Sequence, residues 1–266
     1  MGEMSNQGVE LTIDADVIRR KDFNWNLTFN ASHNTNRITK LYNGRPTSFG
    51  ETIWMEGYSS NTYMLIRWAG VDPSDGSPLW YDANGNITRT YNYDNRVPGK
   101  SADPIMSGGL TNSFSYKNFT LSFQMNYSIG GYSLGSYARN YMRDGYAMTD
   151  STGGNQAVEV YYYRWKAPGQ AALFPKVSVK SQNSTSYNDR FLYDKTNFNI
   201  TNFSFAYNLD EKYAQVMRMK SLRFAFIIDN VYLFTPGMSR TFNSYKTVMN
   251  GYPVTRTYSL SISASF

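Results

Sequence analysis

Apolar and polar residues alternate along seven stretches of the chain, with the period of two that is typical of β-strands. The clearest stretch runs from Phe119 to Ile129, where large apolar residues at odd positions alternate with Thr, Ser, Gln and Asn. In the fifth stretch Phe198 and Ile200 are out of phase with Phe203, so a β-bulge or an inward-facing apolar pair is expected there. The pattern predicts strands near residues 8–19, 22–33, 104–117, 119–130, 196–209, 220–230 and 254–266.

Short and long connections alternate strictly between the predicted strands. The short links lie at about 20–22, 117–118 and 210–219, and the long loops span residues 34–103, 131–189 and 231–253. In an antiparallel sheet this alternation places every long loop at one end, as in outer-membrane barrels with short periplasmic turns and long extracellular loops. The alternative is a soluble or surface-anchored β-sandwich that binds carbohydrate, because its strands would show the same alternation.

Composition favours an all-β protein and excludes several kinds of chemistry. The 266 residues include 23 Tyr, 16 Phe and 5 Trp but only 17% charged residues, a balance typical of strands and turns rather than helices. The absence of Cys and the single histidine, His33, argue against a metal site, and nothing indicates a cofactor or a catalytic triad. The net charge of +6 forms no basic stripe that would suit a nucleic acid. We therefore expect a protein that is not an enzyme.

Two polar clusters in the first long loop resemble calcium loops in composition. They span residues 72–76 and 82–86, and both lack the spacing and the final Glu of an EF-hand. Asp, Asn, Pro and Gly also build turns, so the sequence favours a hairpin from Ser77 to Thr88.

The long loops are rich in aromatic residues. Aromatic rings pack against the flat C–H faces of sugars, although they also pack loops together or form the girdle at a membrane interface. We expect some of these rings to contact a ligand or a partner. The candidate ligand-binding residues are Trp54, Trp68, Trp80, Tyr81, Tyr162 and Trp165.

Residues 155–166 are the one predicted helix, with Asn155 as its N-cap and Pro168 and Gly169 at its end. Three consecutive tyrosines, Tyr161 to Tyr163, cannot share one face of a helix. Part of this helix is therefore expected to contact something outside its own loop.

Blocks along nearly the whole chain resemble the late-barrel region of the SusC/RagA-type TonB-dependent transporters. These blocks include Lys21-Asp-Phe-Asn-Trp-Asn-Leu-Thr-Phe-Asn, Trp68-Ala-Gly-Val-Asp-Pro, Gly108-Gly-Leu-Thr-Asn-Ser-Phe, Trp165-Lys-Ala-Pro-Gly and Asp229-Asn-Val-Tyr-Leu-Phe-Thr. The resemblance implies that residues 1–266 form about seven C-terminal strands of an antiparallel transmembrane β-barrel of roughly 22 strands, with long extracellular loops. It also implies that the plug domain of the family is absent from this chain.

The same resemblance implies a function and a set of partners. The function is import of glycans or peptides across the outer membrane of a Gram-negative bacterium. The implied partners are a SusD-like surface lipoprotein, the TonB complex acting through an upstream plug, the oligosaccharide or peptide substrate and outer-membrane lipid. The remaining barrel strands would come from upstream sequence or from a second chain.

The last predicted strand alternates without a break from Tyr258 to Phe266 and finishes on an aromatic residue. By resemblance to outer-membrane proteins in general, such a strand is read by the barrel-assembly machinery. The candidate residues of this assembly signal are Tyr258, Leu260, Ile262 and Phe266.

Overall fold

The computed structural model describes residues 2–146, 156–236 and 255–266. In chain order its strands are β1 (Glu3–Arg19), β2 (Phe23–Lys40), β3 (Thr47–Phe49), β4 (Thr52–Trp54), β5 (Thr62–Leu65), β6 (Trp68–Val71), β7 (Pro78–Tyr81), β8 (Ile87–Thr88), β9 (Val97–Ser101), β10 (Met106–Tyr116), β11 (Phe119–Ile129), β12 (Tyr132–Leu134), β13 (Leu192–Asp194), β14 (Asn197–Asn208), β15 (Ser221–Phe234) and β16 (Thr257–Ser265). The α-helices within these ranges are α1 (Ser136–Tyr141), α2 (Val158–Tyr163) and α3 (Glu211–Val216). None of the described helices has the length and apolar character needed to cross a membrane.

The seven long strands form one antiparallel sheet, which confirms the all-β fold class. Its order, β1-β2-β10-β11-β14-β15-β16, follows the chain, so each long strand pairs with the long strand before it. Three strands run further than the alternation predicted: β1 begins at Glu3, β2 continues to Lys40 rather than ending near residue 33, and β15 continues to Phe234 rather than ending near residue 230. The extension of β2 escaped the pattern because residues 34–37, Asn-Thr-Asn-Arg, are polar on both faces.

The long connections all leave the same end of this sheet. Residues 41–105, which we call loop 1, join β2 to β10, and residues 130–196, which we call loop 2, join β11 to β14. The third long connection lies between β15 and β16 and falls mostly outside the described residues. At the opposite end the turns at residues 20–22 and 117–118 are short, and the turn from β14 to β15 carries α3.

The irregularity expected in the fifth long strand is a β-bulge. Gln124 on β11 pairs with Asn202, whereas the next residue, Met125, pairs with Ile200, so Thr201 has no partner on β11. This extra residue brings Ile200 back onto the apolar face. The facing break in β15 contains Asn230 at φ 56, a left-handed conformation that asparagine tolerates better than most residues.

In the described part of the chain, no second sheet covers the apolar face of the long strands. Val9 is 71% exposed and Leu260 is 85% exposed. The buried apolar cluster lies instead in loop 2, where it consists of Ala138, Met142, Val160, Phe174 and Phe191. A β-sandwich would bury the alternating apolar residues of its strands between two sheets. The sandwich alternative is therefore wrong for this chain.

The opposite face of the sheet is a ladder of polar side chains. The Thr28 hydroxyl donates a hydrogen bond to Asp14 Oδ1 at 2.6 Å, and the Asn26 amide donates to Asp16 Oδ1 at 3.2 Å. Both pairs join residues that lie opposite each other on β1 and β2. These acidic residues therefore belong to a hydrogen-bonded polar surface, which is the character of a water-filled barrel interior.

Candidate functional site

Loops 1 and 2 are interlocked through their backbones. The Ile66 N–H of loop 1 donates to the carbonyl oxygen of Tyr187 in loop 2 at 2.8 Å. The Trp68 N–H donates to Asp189 Oδ1 at 2.7 Å. Burial raises the pKa of this Asp189 carboxyl above its ordinary value, and the bond from Trp68 opposes that shift. The two loops therefore form one surface above the sheet.

Arg190 holds this junction through three aromatic rings. Its guanidinium carbon lies 4.7 Å from the ring centres of Trp68 and Phe174 and 5.0 Å from that of Phe191. Its Nη2 donates to the Leu173 carbonyl oxygen at 3.1 Å. Burial lowers the pKa of Arg190 to about 10, so the side chain is still cationic at neutral pH and attracts the ring faces. This residue could not be singled out from the sequence, because Trp68 and the pair Leu173 and Phe174 lie far from it along the chain.

Three of the candidate rings pack within the small sheet β6-β7-β8 of loop 1. Trp80 is 2% exposed and lies edge-on between Trp68, at 6.1 Å, and Tyr91, at 5.6 Å. Tyr81 is half-buried, with the Arg67 guanidinium carbon 5.1 Å from its ring centre. Trp80 therefore fills the interior of loop 1 and offers no ring face to a ligand.

Trp165 fastens loop 2 to a turn of loop 1. Its indole Nε1 donates to the Pro73 carbonyl oxygen at 3.0 Å. Its ring lies so close to Gly76 that a Cβ there would come within 2.5 Å, and Gly76 has a φ of +75. The turn precedes the hairpin of β7 and β8, which pair antiparallel as the sequence predicted. Trp165 is thus a contact between the loops.

Tyr162 lies on the surface of α2. It is 62% exposed, and its neighbours Tyr161 and Tyr163 are 60% and 53% exposed. The helix is shorter than expected and ends at Tyr163, because the backbone of Arg164 forms an isolated parallel β-bridge with that of Phe174. The expected N-cap, Asn155, lies outside the described residues, and the observed cap position is Ala157.

Trp54 borders an apolar cavity of about 560 Å³, a size typical of small-molecule sites. The Trp54 and Phe49 rings are tilted against each other at 4.9 Å. Met4 and Ile38 pair across β1 and β2, in step with the polar pairs Asn6–Asn36 and Gly8–Asn34. The cavity therefore lies on the polar side of the sheet, at the end that carries the loops. Its apolar and aromatic lining consists of Met4, Ile38, Leu41, Tyr42, Phe49 and Trp54.

Of the candidate ligand-binding rings, Trp54 lines this cavity, and the other members of its lining were not among the candidates. Tyr42 and Phe49 looked like any other loop aromatics, and Met4 preceded the predicted start of the first strand. The alternation itself contains the one signal that could have found Ile38, since it is an apolar residue in the polar phase of β2.

The residues of the expected assembly signal lie on β16 and directly after it. Tyr258, Leu260, Ile262 and Phe266 are all exposed. The Tyr258 ring stacks on Phe226 of β15 at 6.3 Å. In the described part of the chain β16 pairs with β15 alone, so its other edge is free.

Comparison with known proteins finds similar sequences among the TonB-dependent receptors. No protein-family model matches the chain. The TonB-dependent receptor P3 of Formosa agariphila is 26% identical over the whole chain, and the TonB-dependent receptor SusC of Bacteroides thetaiotaomicron is 32% identical over half of it. These matches relate the chain to the SusC-type TonB-dependent receptors.

The chain spans 29% of the length of the P3 receptor and 14% of that of SusC. The solved structure of the RagAB peptide transporter superposes on the whole chain with a TM-score of 0.84 at 24% identity, over 30% of its own length. This likeness confirms the fold, which is an all-β segment of a barrel. The resemblance to SusC/RagA-type receptors that the sequence indicated is thereby confirmed.

Proposed function

We propose that this chain forms wall and extracellular loops of a TonB-dependent nutrient importer in the outer membrane of a Gram-negative bacterium. The observation that carries the proposal is the apolar face of the sheet, which is exposed on β1 and β16 while the buried cluster lies in loop 2. Such a face suits contact with lipid, and the polar face suits a hydrated interior. The names of its relatives, receptors and transporters, support a role other than catalysis.

The proposed position of the chain is the C-terminal part of a barrel of roughly 22 strands. Its two outer strands, β1 and β16, each pair on one side within the described residues. An unpaired strand edge recruits another strand, and barrel closure removes such edges. Further strands, from upstream sequence or a second chain, complete the barrel in this proposal. A plug that contacts the TonB complex would come from the same source.

The loop end of the sheet is the proposed side of substrate entry. The cavity beside Trp54 faces the interior side of the sheet, and its rings suit the apolar faces of a sugar or the apolar side chains of a peptide. We propose that Trp54 contacts substrate there. Trp68, Trp80, Tyr81 and Trp165 act in this proposal by holding the two loops in shape.

A SusD-like lipoprotein is the proposed partner on the outer surface. The exposed tyrosines of α2, including Tyr162, provide a contact surface of the kind such a partner would use. Tyrosine suits protein interfaces because it combines an apolar ring with a polar tip.

Epitope insertion in the complete transporter tests the proposed topology. A tag after Gly85, in loop 1, is expected to bind antibody on intact cells, as is a tag at Gly154, which lies outside the described residues. A tag at Asn118, in the short turn between β10 and β11, is expected to bind only after the outer membrane is permeabilised. Labelling of the Asn118 tag on intact cells would overturn the topology.

A further inference from the structure

A polar cleft of about 260 Å³ lies between loops 1 and 2, apart from the cavity beside Trp54. Glu51 contributes from the turn between β3 and β4, and Arg139 and Arg143 contribute from α1 and the residues after it. The remaining wall consists of Asn140 and the segment Thr185–Tyr187. This segment is held in place where the Ile66 N–H donates to the Tyr187 carbonyl oxygen. The cleft therefore exists because the two loops interlock.

The charges in the cleft do not balance. Arg139 Nη1 donates to Glu51 Oε1 at 2.7 Å, and both side chains are about one-third exposed. This ion pair joins the loops and neutralises Arg139. Among the described residues, the guanidinium of Arg143 makes one hydrogen bond, a long one of 3.4 Å to Asn140 Oδ1. Among the residues that the structure describes, the charge of Arg143 has no acidic partner in the cleft.

A second cation, Arg96, does not line the cleft but lies beside two residues of its wall, Glu51 and Tyr187. The Arg96 guanidinium lies 3.6 Å above the ring centre of Tyr93 and 6.0 Å from that of Tyr187. Its Nη1 donates to the Gly50 carbonyl oxygen at 3.3 Å, directly beside Glu51. Its Nε donates to the Tyr93 carbonyl oxygen at 3.2 Å, so within the described ranges the hydrogen-bond and ring partners of Arg96 are all uncharged.

We propose that this cleft binds a carboxylate group of the imported ligand, with Arg143 as the charged donor. A guanidinium presents two parallel N–H groups that match the two oxygens of a carboxylate, and such bonds are stronger than neutral ones. The Thr185 hydroxyl provides a neutral donor on the facing wall, whereas the Ser186 hydroxyl donates to Asn183 Oδ1. The C-terminus of a peptide and a sugar acid share this chemistry. The proposal rests on the proposed import function, since the ligand is a molecule that the transporter takes up.

Crystals of the complete transporter soaked in para-bromobenzoate test the site without knowledge of the natural ligand. The expected result is anomalous bromine density in the cleft, with the carboxylate beside Arg143. The neutral isostere para-bromobenzamide is expected to leave the cleft empty. In solution, Arg143→Gln should weaken benzoate binding about tenfold, since it removes a charged hydrogen-bond donor. Arg143→Lys should retain part of the affinity.

Arg45→Gln is the matched control, because Arg45 is an exposed loop arginine outside the cleft. Equal affinities for N-acetylalanine and galacturonic acid would mean that the cleft recognises the carboxylate alone. A higher affinity for one of them would show whether the natural carboxylate belongs to a peptide C-terminus or to a sugar acid. Absence of bromine density in the wild-type cleft, or equal benzoate affinity in Arg143→Gln, would refute the proposal. The readout is independent of uptake, so a transporter that binds benzoate in the cleft but imports nothing would refute the import function and leave the site standing.

Discussion

At Gly108 the backbone of β10 comes too close to β2 for any side chain. A Cβ at this position would lie 2.0 Å from the Asn30 carbonyl oxygen and 2.6 Å from the Tyr127 hydroxyl. The Tyr127 ring lies across the glycine, and its hydroxyl donates to that same carbonyl oxygen at 3.1 Å. A glycine therefore allows a tyrosine on β11 to reach over β10 and bond to β2.

Gly108→Ala is expected to destabilise the barrel by about 1–3 kcal/mol, because the added methyl group must displace backbone as well as the Tyr127 ring. The neighbouring substitution Gly109→Ala is the control, since its Cβ would meet no atom closer than 3.2 Å. Urea unfolding of the complete transporter in lipid measures both. A Gly109→Ala loss as large as that of Gly108→Ala would contradict this reading of the contact.

Asp72 gives the loop 1 turn a defined dependence on pH. Hydrogen bonds from the Ser74 hydroxyl and N–H, followed by Arg89, lower the pKa of its carboxyl from 3.8 to about 2. Because the folded pKa is depressed, the stabilisation is complete above about pH 4 and is lost as the pH falls through 2. Asp72→Asn lacks this charge at every pH.

Amide hydrogen exchange of residues 72–89 tests this dependence. The quantity to compare is the ratio of the exchange rates of the wild-type transporter and of Asp72→Asn at each pH. The ratio cancels the intrinsic effect of pH on exchange. The wild-type turn is expected to be better protected at pH 5, and the difference is expected to shrink steadily as the pH falls from about 4 to 2. A difference that stayed constant from pH 5 to pH 2 would show that the carboxylate charge is not its source.

At the scale of elements, the strands could be predicted well from the sequence. One face of the sheet is apolar and the other is polar, so apolar and polar residues alternate along every strand. Even the bulge at Thr201 could be predicted, since Phe198 and Ile200 break the phase. The loops could not be resolved in the same way. Trp80 and Trp54 have similar surroundings in the sequence, yet one is buried and the other is 46% exposed. Their burial depends on contacts such as Trp68 with Asp189, across more than a hundred residues.

The edge strand β16 carries its own prediction. Its apolar residues are exposed and its outer edge is free among the described residues, so its role as an assembly signal stays a proposal. Phe266→Ala in the complete transporter is expected to lower the amount of folded barrel several-fold, while Ser265→Ala leaves it unchanged. Heat-modifiable migration on a gel reports the folded fraction. Normal folding of Phe266→Ala would remove this residue from the signal.

At the scale of the whole molecule, the two faces of the sheet and the interlocked loops each suit a different environment. One face suits lipid, the other suits water, and the loops above them carry an apolar cavity and a charged cleft. The cavity and the cleft are different in chemistry, so a ligand with an apolar part and a carboxylate would suit both. This arrangement depends on the central claim that the sheet is a membrane wall.

Arginine scanning at mid-strand of β11 tests that claim most directly. Phe123 lies on the apolar face and Gln124, beside it, on the polar face. Phe123→Arg in the complete transporter is expected to cost about 2–4 kcal/mol of folding free energy in lipid, and Gln124→Arg much less. Phe123→Leu separates the loss of ring packing, including the stack on Phe114, from the cost of the charge. A large loss for Phe123→Arg alone is the predicted result, and equal losses for Phe123→Arg and Gln124→Arg would contradict the account.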